Sequence, residues 1–195
     1  MSTQLILAST SKYRAELLGR ICSNFTQQAP DCDETPRPDE IPLLLSERLA
    51  AGKARSVAEK NPEALVIGSD QVASLAGKPL GKPGNYDNAF QQLSECSGHN
   101  VDFYTSVNIL RLSDNTEFRH TDHTRVCFKT LPDTLIEIYL KAETPYDCAG
   151  SFKSEGLGVI LFEHIDSNDP TGLIGLPLIW VADALSRGGY DLFAE

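Results

Sequence analysis

Between an apolar run, LILA (5–8), and a helix-like stretch, the chain carries STSKYR, small hydroxyl residues followed by a lysine, a tyrosine and an arginine. With Ser11 as cap, Lys12, Tyr13 and Arg14 fill the first helical turn. Cations there oppose the helix dipole by roughly 0.3–1 kcal/mol, and a purely structural start would place Glu where Arg14 stands. An anion at that end reverses the sign, because free amides, hydroxyls and Arg14 all become donors to it. A solvated basic helix end is the plainer alternative.

Further charged residues stand where an α/β fold keeps its functional groups. VIGSDQV puts Asp70 just beyond a short apolar run, the place where open sheets bind ligands. AGKPLGKPG offers Lys78 and Lys82 beside glycines, DCDETPR offers Asp31, Asp33 and Glu34 on a proline-stiffened loop, and SFKSEG offers Lys153 and Glu155. Lys53, four residues after Leu49 in a helix, reads by itself as a solvated lysine. Singly, most of these are turn aspartates or surface lysines. Together they are the inventory of phosphoryl chemistry, in which cations neutralise phosphate oxygens and carboxylates hold a hard divalent metal and orient a water. No GxxxxGK[ST], GxGxxG or GxSxG occurs, so a P-loop, a Rossmann cofactor site and a hydrolase elbow lack support. His120 and His123 fall in a strand-like stretch, where that spacing sends the rings to opposite faces and makes a poor metal pair.

The elements that must position these groups follow from periodicity. Residues 4–8 read as a buried strand and 11–22 as a helix with Leu17, Leu18 and Ile21 on one face. Pro42–Lys60 reads as a helix, 63–75 as an apolar strand broken at Gly68, and Asp87–Glu95 as a helix. NVDFYTSVNILRL and TEFRHTDHTRVCFKTL are strands joined through SDNT as a hairpin. PDTLIEIYLKAE is a helix, GVILFEHI a strand, and LPLIWVADALSRGG a closing helix ended by glycine. Interleaved strands and helices with one hairpin predict an α/β domain on a mixed twisted sheet flanked by helices. No linker divides residues 1–195, so a single domain is expected, with two lobes as its coarsest subdivision.

Length and charge fit this picture. The 195 residues suffice for a substantial core, and 41% hydrophobic with 23% charged is ordinary for a globular chain. No apolar run is long enough to span a membrane, and MSTQLILAST lacks the basic start of a signal peptide. Five cysteines, odd in number and without a CxxC pair, suit reduced thiols in a cytoplasm better than disulfides or zinc. A formal charge of −10 argues against nucleic acid and anionic membranes as partners. A small anionic ligand remains compatible if the few cations converge locally.

LASTSKYRAELL resembles the N-terminal signature of the Maf (septum-formation-associated) family, usually hydrophobic–A–S–x–S–P–R/W–R. DETPR, the helix bearing Lys53, IGSDQV, GKP, and AGSFKSEG followed by GLPL match in order across nearly the whole chain. The resemblance implies the Maf/inosine-triphosphatase-like fold, two lobes with a cleft between them, and a metal-dependent pyrophosphatase that cleaves nucleoside triphosphates between the α and β phosphates. By matching position it implies that Ser9, Arg14, Lys53, Lys82 and Lys153 bind the polyphosphate. It also implies that Glu34 and Asp70 serve a divalent metal (Mg²⁺ or Mn²⁺), with Asp70 the proton acceptor and Glu34 and Lys82 beside it. Tyr13, Gln71 and Glu155 correspond to the specificity triplet of the subgroup acting on 7-methyl-GTP, where dTTP/UTP enzymes carry arginine, threonine and glutamine. A carboxylate accepts from both N1–H and the 2-amino group of guanine, and a methylated, cationic base gains a cation–π term of roughly 0.5–2 kcal/mol on an aromatic face. Two positions depart from the pattern: Lys12 replaces the usual proline, and Tyr13 stands for the subgroup's tryptophan. A homodimer is a further implication. The alternatives are a dTTP/UTP or broader pyrophosphatase, a generic phosphatase, and a non-catalytic nucleotide-binding regulator of septum formation.

Overall fold

A computed structural model describes residues 3–193. Its centre is β3 (Leu65–Leu75), eleven residues of almost unbroken burial. Around it the order is β2-β1-β3-β5-β6-β7, with β4 attached separately to β3. β1 (Leu5–Ala8) runs parallel to both β2 (Thr26–Gln28) and β3, while β4 (Lys78–Leu80), β5 (Asn100–Arg111), β6 (Thr116–Phe128) and β7 (Phe162–Asp166) pair antiparallel. The sheet is therefore mixed, and the β5–β6 hairpin forms as expected. Among the described residues no helix is long and apolar enough to cross a membrane.

One detail of the pairing builds the site. β1 pairs with β3 only from Leu65 to Gly68, and β4 pairs with the same edge only from Ala73 to Leu75. Ser69, Asp70, Gln71 and Val72 thus have no strand beside them on that edge, although β5 covers the other. The opening is where the chain leaves β1, at Ser9.

The strand does not break at Gly68, as its sequence suggests. Gly68 lies inside β3 because α2 (Pro42–Ala58) crosses there at backbone distance. A Cβ at position 68 would overlap the Ala50 carbonyl oxygen and the Ala54 amide nitrogen and stand 2.8 Å from Ala54 Cβ. Glycine here serves close approach of helix and strand. Asp70 consequently sits in the interior of a strand, opposite Ser106 of β5, and not in a loop after one.

Other boundaries shift for local reasons. α1 spans only Lys12–Leu18, and Gly19 ends it four residues before the expected stop. The stretch GVIL is not strand: Leu157–Leu161 forms a 3₁₀ turn and β7 begins at Phe162. Gly158 folds back against Lys153, whose carbonyl accepts its amide at 3.1 Å, and a Cβ there would overlap that carbonyl. β2 and β4, three residues each, are too short for periodicity to reveal. α3 (Tyr86–Cys96), α4 (Asp133–Glu143) and α5 (Leu178–Arg187) lie within a few residues of the expected helices.

Apolar side chains gather in two large clusters. One joins α3, α4 and the Phe103, Phe128, Phe152 and Phe162 rings, which meet edge to face at 4.8–5.6 Å. The other packs α1 and α5 on β1 and the first half of β3. LPLIW contributes mainly to the second: Leu176 and Leu178 are buried, Trp180 stacks on His120, and Ile179 points outward. His123 stacks instead on Tyr104, so the two histidines have separate surroundings.

Candidate active site

The opening on β3 leads into a cleft of about 880 Å³. Strand alternation divides its floor into two sides. Asp70 and Val72 face α2, where Val72 packs on Leu45 and Leu49. Ser69 and Gln71 face the segment 172–175.

On the α2 side, Lys53 is 7% exposed, not solvated as its position in a helix suggests. The reason lies beneath it: Gly68 lets α2 settle onto β3, which carries Lys53 over Asp70. Its Nζ donates to Asp70 Oδ1 at 2.7 Å and pairs with Glu34 Oε1 at 2.9 Å. Glu34 reaches in from the exposed 31–36 loop, so two carboxylates converge on one ammonium. Burial pushes the Asp70 carboxyl above its ordinary range, against the pull of Lys53 and Arg14.

On the other side, the backbone of 169–175 acts as an acceptor platform. Gly175 O accepts from Arg14 Nε at 2.9 Å and from Ser69 Oγ at 3.0 Å. Gly175 has φ +125°, a backbone region that favours glycine, and its Cα lies close enough to Arg14 that an added Cβ would stand in van der Waals contact with Nε at 3.4 Å. Gln71 Nε2 donates toward Thr105 Oγ1, Gly172 O and Leu173 O, all within 3.1 Å. With its nitrogen so engaged, Gln71 has only Oε1 to offer a ligand. Asp169, 4% exposed, anchors the platform: Oδ1 accepts from Thr171 N and Oγ1, and Oδ2 from Ile179 N at the start of α5. Sequence reasoning missed Asp169, although D-P-T-G is a turn signal with an aspartate positioned to bond its own backbone. Replacing Asp169 with alanine removes three charge-assisted bonds and should lower stability by roughly 4–5 kcal/mol, at about 1.5 kcal/mol each. Urea denaturation measures it, and an unchanged midpoint would remove the anchoring role.

The rim completes the cleft. Ser11 caps α1, its Oγ accepting from Arg14 N at 3.4 Å, while Ser9 Oγ accepts from Ser11 N at 3.1 Å. Lys153 donates from its backbone to Tyr139 Oη and from Nζ to Glu143 O, at 3.0 Å each. Lys82 is exposed on the loop after β4 and makes no ion pair among the described residues. Tyr13 Oη donates to Asp147 Oδ2 at 3.4 Å, and Lys12 Nζ lies 4.9 Å over one face of the Tyr13 ring. Cys148 Sγ is 4.0 Å from that hydroxyl, and burial beside Asp147 pushes the thiol up to about 12. Glu155 is exposed at the same end.

Ser9, Tyr13, Arg14, Glu34, Lys53, Asp70, Gln71, Lys82, Lys153 and Glu155 all line this one cleft. Lys12 joins them, as do Asp147 and Cys148, which sequence reasoning did not select. Asp31, Asp33 and Lys78 do not line it, and Asp33 instead accepts from Thr35 N in a local turn at 2.9 Å. Five cations facing four carboxylates in one cavity resolve the tension with the negative net charge.

A mixed sheet with an opening at its central strand, walled by converging cations and carboxylates, defines a polyanion-binding α/β protein. Residues 4–188 match the family model described as Maf-like protein, and the chain belongs to the Maf family. A 7-methyl-GTP pyrophosphatase from Polaromonas sp. (strain JS666 / ATCC BAA-500) is 53% identical over 194 residues, covering 100% of this chain and 89% of the relative. A protein of the same name from Xanthomonas campestris pv. campestris (strain 8004) is 51% identical over 192 residues, 98% of this chain and 100% of the relative. The fold is also that of the Staphylococcus aureus Ham1 protein, with TM-score 0.56 at 12% identity over 96% of this chain and 100% of that one.

Proposed function

We propose that this protein hydrolyses 7-methyl-GTP to 7-methyl-GMP and pyrophosphate, removing a modified nucleotide from the cytoplasmic pool, and that residues 1–195 form one domain for that task. The single observation that carries the chemistry is the pairing of Glu34 and Asp70 on the buried Lys53, inside a cleft rich in further cations. The full-length relatives that share the name support the substrate.

Carboxylate oxygens are hard donors, and these two already enclose a positive charge, so Glu34 and Asp70 fit a Mg²⁺ or Mn²⁺ ion. Such an ion, when bound, polarises a phosphoryl oxygen and acidifies a water. Asp70 takes the proton of the attacking water, a task suited to a carboxyl lifted by burial. Arg14, Lys53, Lys82 and Lys153, with Ser9, hold the polyphosphate and oppose the charge that grows on its oxygens. Arg14 is pre-set by Gly175, so it is ordered before the substrate arrives.

In the same cleft, Tyr13, Glu155 and the Oε1 of Gln71 face the base. Lys12 occupies one side of the Tyr13 ring, leaving the other for stacking. A cationic base bearing N1–H and 2-amino donors satisfies both oxygens of Glu155, whereas thymine and uracil offer the single N3–H and leave one oxygen unpaired.

The test supplies the purified protein and Mg²⁺ or Mn²⁺ with 7-methyl-GTP, GTP, dTTP, UTP and ITP, measuring pyrophosphate and orthophosphate separately. Pyrophosphate from 7-methyl-GTP should dominate, and Glu155→Ala should narrow its lead over dTTP and UTP by about tenfold or more, the size of one lost bidentate contact. Preference for dTTP or UTP would keep the chemistry and reject the specificity. Orthophosphate as product would indicate a phosphatase, and tight binding without turnover a regulator.

A further inference from the structure

At the edge of the sheet far from β1, β6 and β7 bring together three side chains that the nucleotide chemistry does not use. Cys127 and His164 are register partners across the two strands, and Asp166 lies two residues beyond His164, so all three project from the same face. Cys127 Sγ is 3.1 Å from His164 Nε2, which is 3.6 Å from Asp166 Oδ2, and the three donor atoms lie within 4.8 Å of one another. None of them lines the cleft. Arg125, the register partner of Asp166, is turned away to Asp102 at 2.9 Å, leaving the Asp166 carboxylate without a cationic clamp.

We propose that Cys127, His164 and Asp166 bind one zinc-class divalent cation, separate from any ion used in the cleft. Thiolate, imidazole and carboxylate are the three zinc ligand types. Bond lengths of about 2.3 Å to sulfur and 2.0–2.1 Å to nitrogen and oxygen place tetrahedral neighbours roughly 3.3–3.6 Å apart. The observed 3.1 and 3.6 Å separations need adjustments of only tenths of an ångström, and the third edge, from Cys127 Sγ to the Asp166 carboxylate, is held within 4.8 Å and closes by rotation of the exposed Asp166 side chain. A fourth position faces solvent, since His164 and Asp166 are both exposed. A sulfur ligand disfavours Mg²⁺, which keeps the two sites chemically distinct. Binding replaces the thiol proton of Cys127, which passes to solvent, by a sulfur–metal bond. The ion would tie the edge strand β7, five residues long with four exposed, to the central hairpin. β7 follows the 3₁₀ turn after Glu155, so the clip would also restrain the end of the segment carrying Lys153 and Glu155.

Cobalt(II) is the probe, because a thiolate-to-cobalt charge-transfer band in the near ultraviolet reports sulfur ligation directly. The intact protein should develop that band with one equivalent of Co²⁺, lose it to Zn²⁺ and keep it in excess Mg²⁺. Cys127→Ser should abolish the band, and Asp70→Asn should leave it intact. His164 is on the surface, so His164→Ala keeps the fold. It should weaken Co²⁺ binding by more than about 100-fold, beyond the cost of an outer-shell change. A Zn²⁺-induced rise in Tm should disappear in the same variant. Absence of the band, its survival in Cys127→Ser, or undiminished affinity in His164→Ala would each overturn the site.

Discussion

Asp70→Asn is expected to lower the rate of pyrophosphate release by about 10²–10⁴-fold, the usual contribution of a positioned general base. Asparagine keeps the size and leaves an oxygen to accept from Lys53, so the fold and nucleotide binding should largely persist. It cannot take a proton. As the proposed base, the same group should set the acid side of the pH profile. Burial holds the Asp70 carboxyl above the ordinary value of about 3.9, so kcat/KM should begin to fall at a pH above that value as Asp70 is protonated. The variant's residual rate should lack this limb. Steady-state rates across pH, with nucleotide affinity measured by calorimetry, separate the outcomes. A variant retaining most of its rate would show that another group accepts the proton, with Glu34 the nearest alternative on Lys53.

Gly68→Ala is the second large effect, and it reaches the site from the core. The added methyl meets the backbone of α2 at Ala50 and Ala54, and helix backbone cannot rotate aside as a side chain can. α2 must lift from β3, and the overpacking should cost about 3 kcal/mol or more. The gain of up to about 1 kcal/mol from a stiffer unfolded chain does not offset it. Because Lys53 rides on α2 and Asp70 on β3, the lift also stretches the 2.7 Å contact between them. Urea denaturation should register the loss of stability, and the folded fraction should turn over more slowly. An unchanged denaturation midpoint would mean that the helix tolerates the methyl and that position 68 has been misjudged.

Much of this architecture could be read from the chain. α2, α3, α4 and the β5–β6 hairpin have periodicity long enough to announce themselves, and they fall within a few residues of expectation. Arg14 and Asp70 attracted notice for one reason each: a cation where a helix start disfavours it, and an acid at the end of an apolar run. Lys53 did not stand out from the residues around it, because its burial depends on which strand lies beneath, a tertiary fact. Gly68 is illegible for the same reason, since the residue that breaks many strands here admits a neighbouring helix. The acceptor platform was the least legible part. Its functional atoms are backbone carbonyls of Gly172, Leu173 and Gly175, and side-chain chemistry carries no trace of them. GVIL turned back at Gly158 because a carbonyl stands where a side chain would go, which no local propensity encodes.

The bond from Arg14 to Gly175 joins positions 161 apart in the chain. A ribosome delivers Arg14 early and Gly175 near the end, so throughout most of synthesis the guanidinium has no fixed partner. No emerging fragment shorter than about nine-tenths of the molecule can hold this arginine in its working orientation, a separation that also delays closure because distant contacts form late. A chain released before residue 175 is therefore expected to lack the bond that fixes this guanidinium.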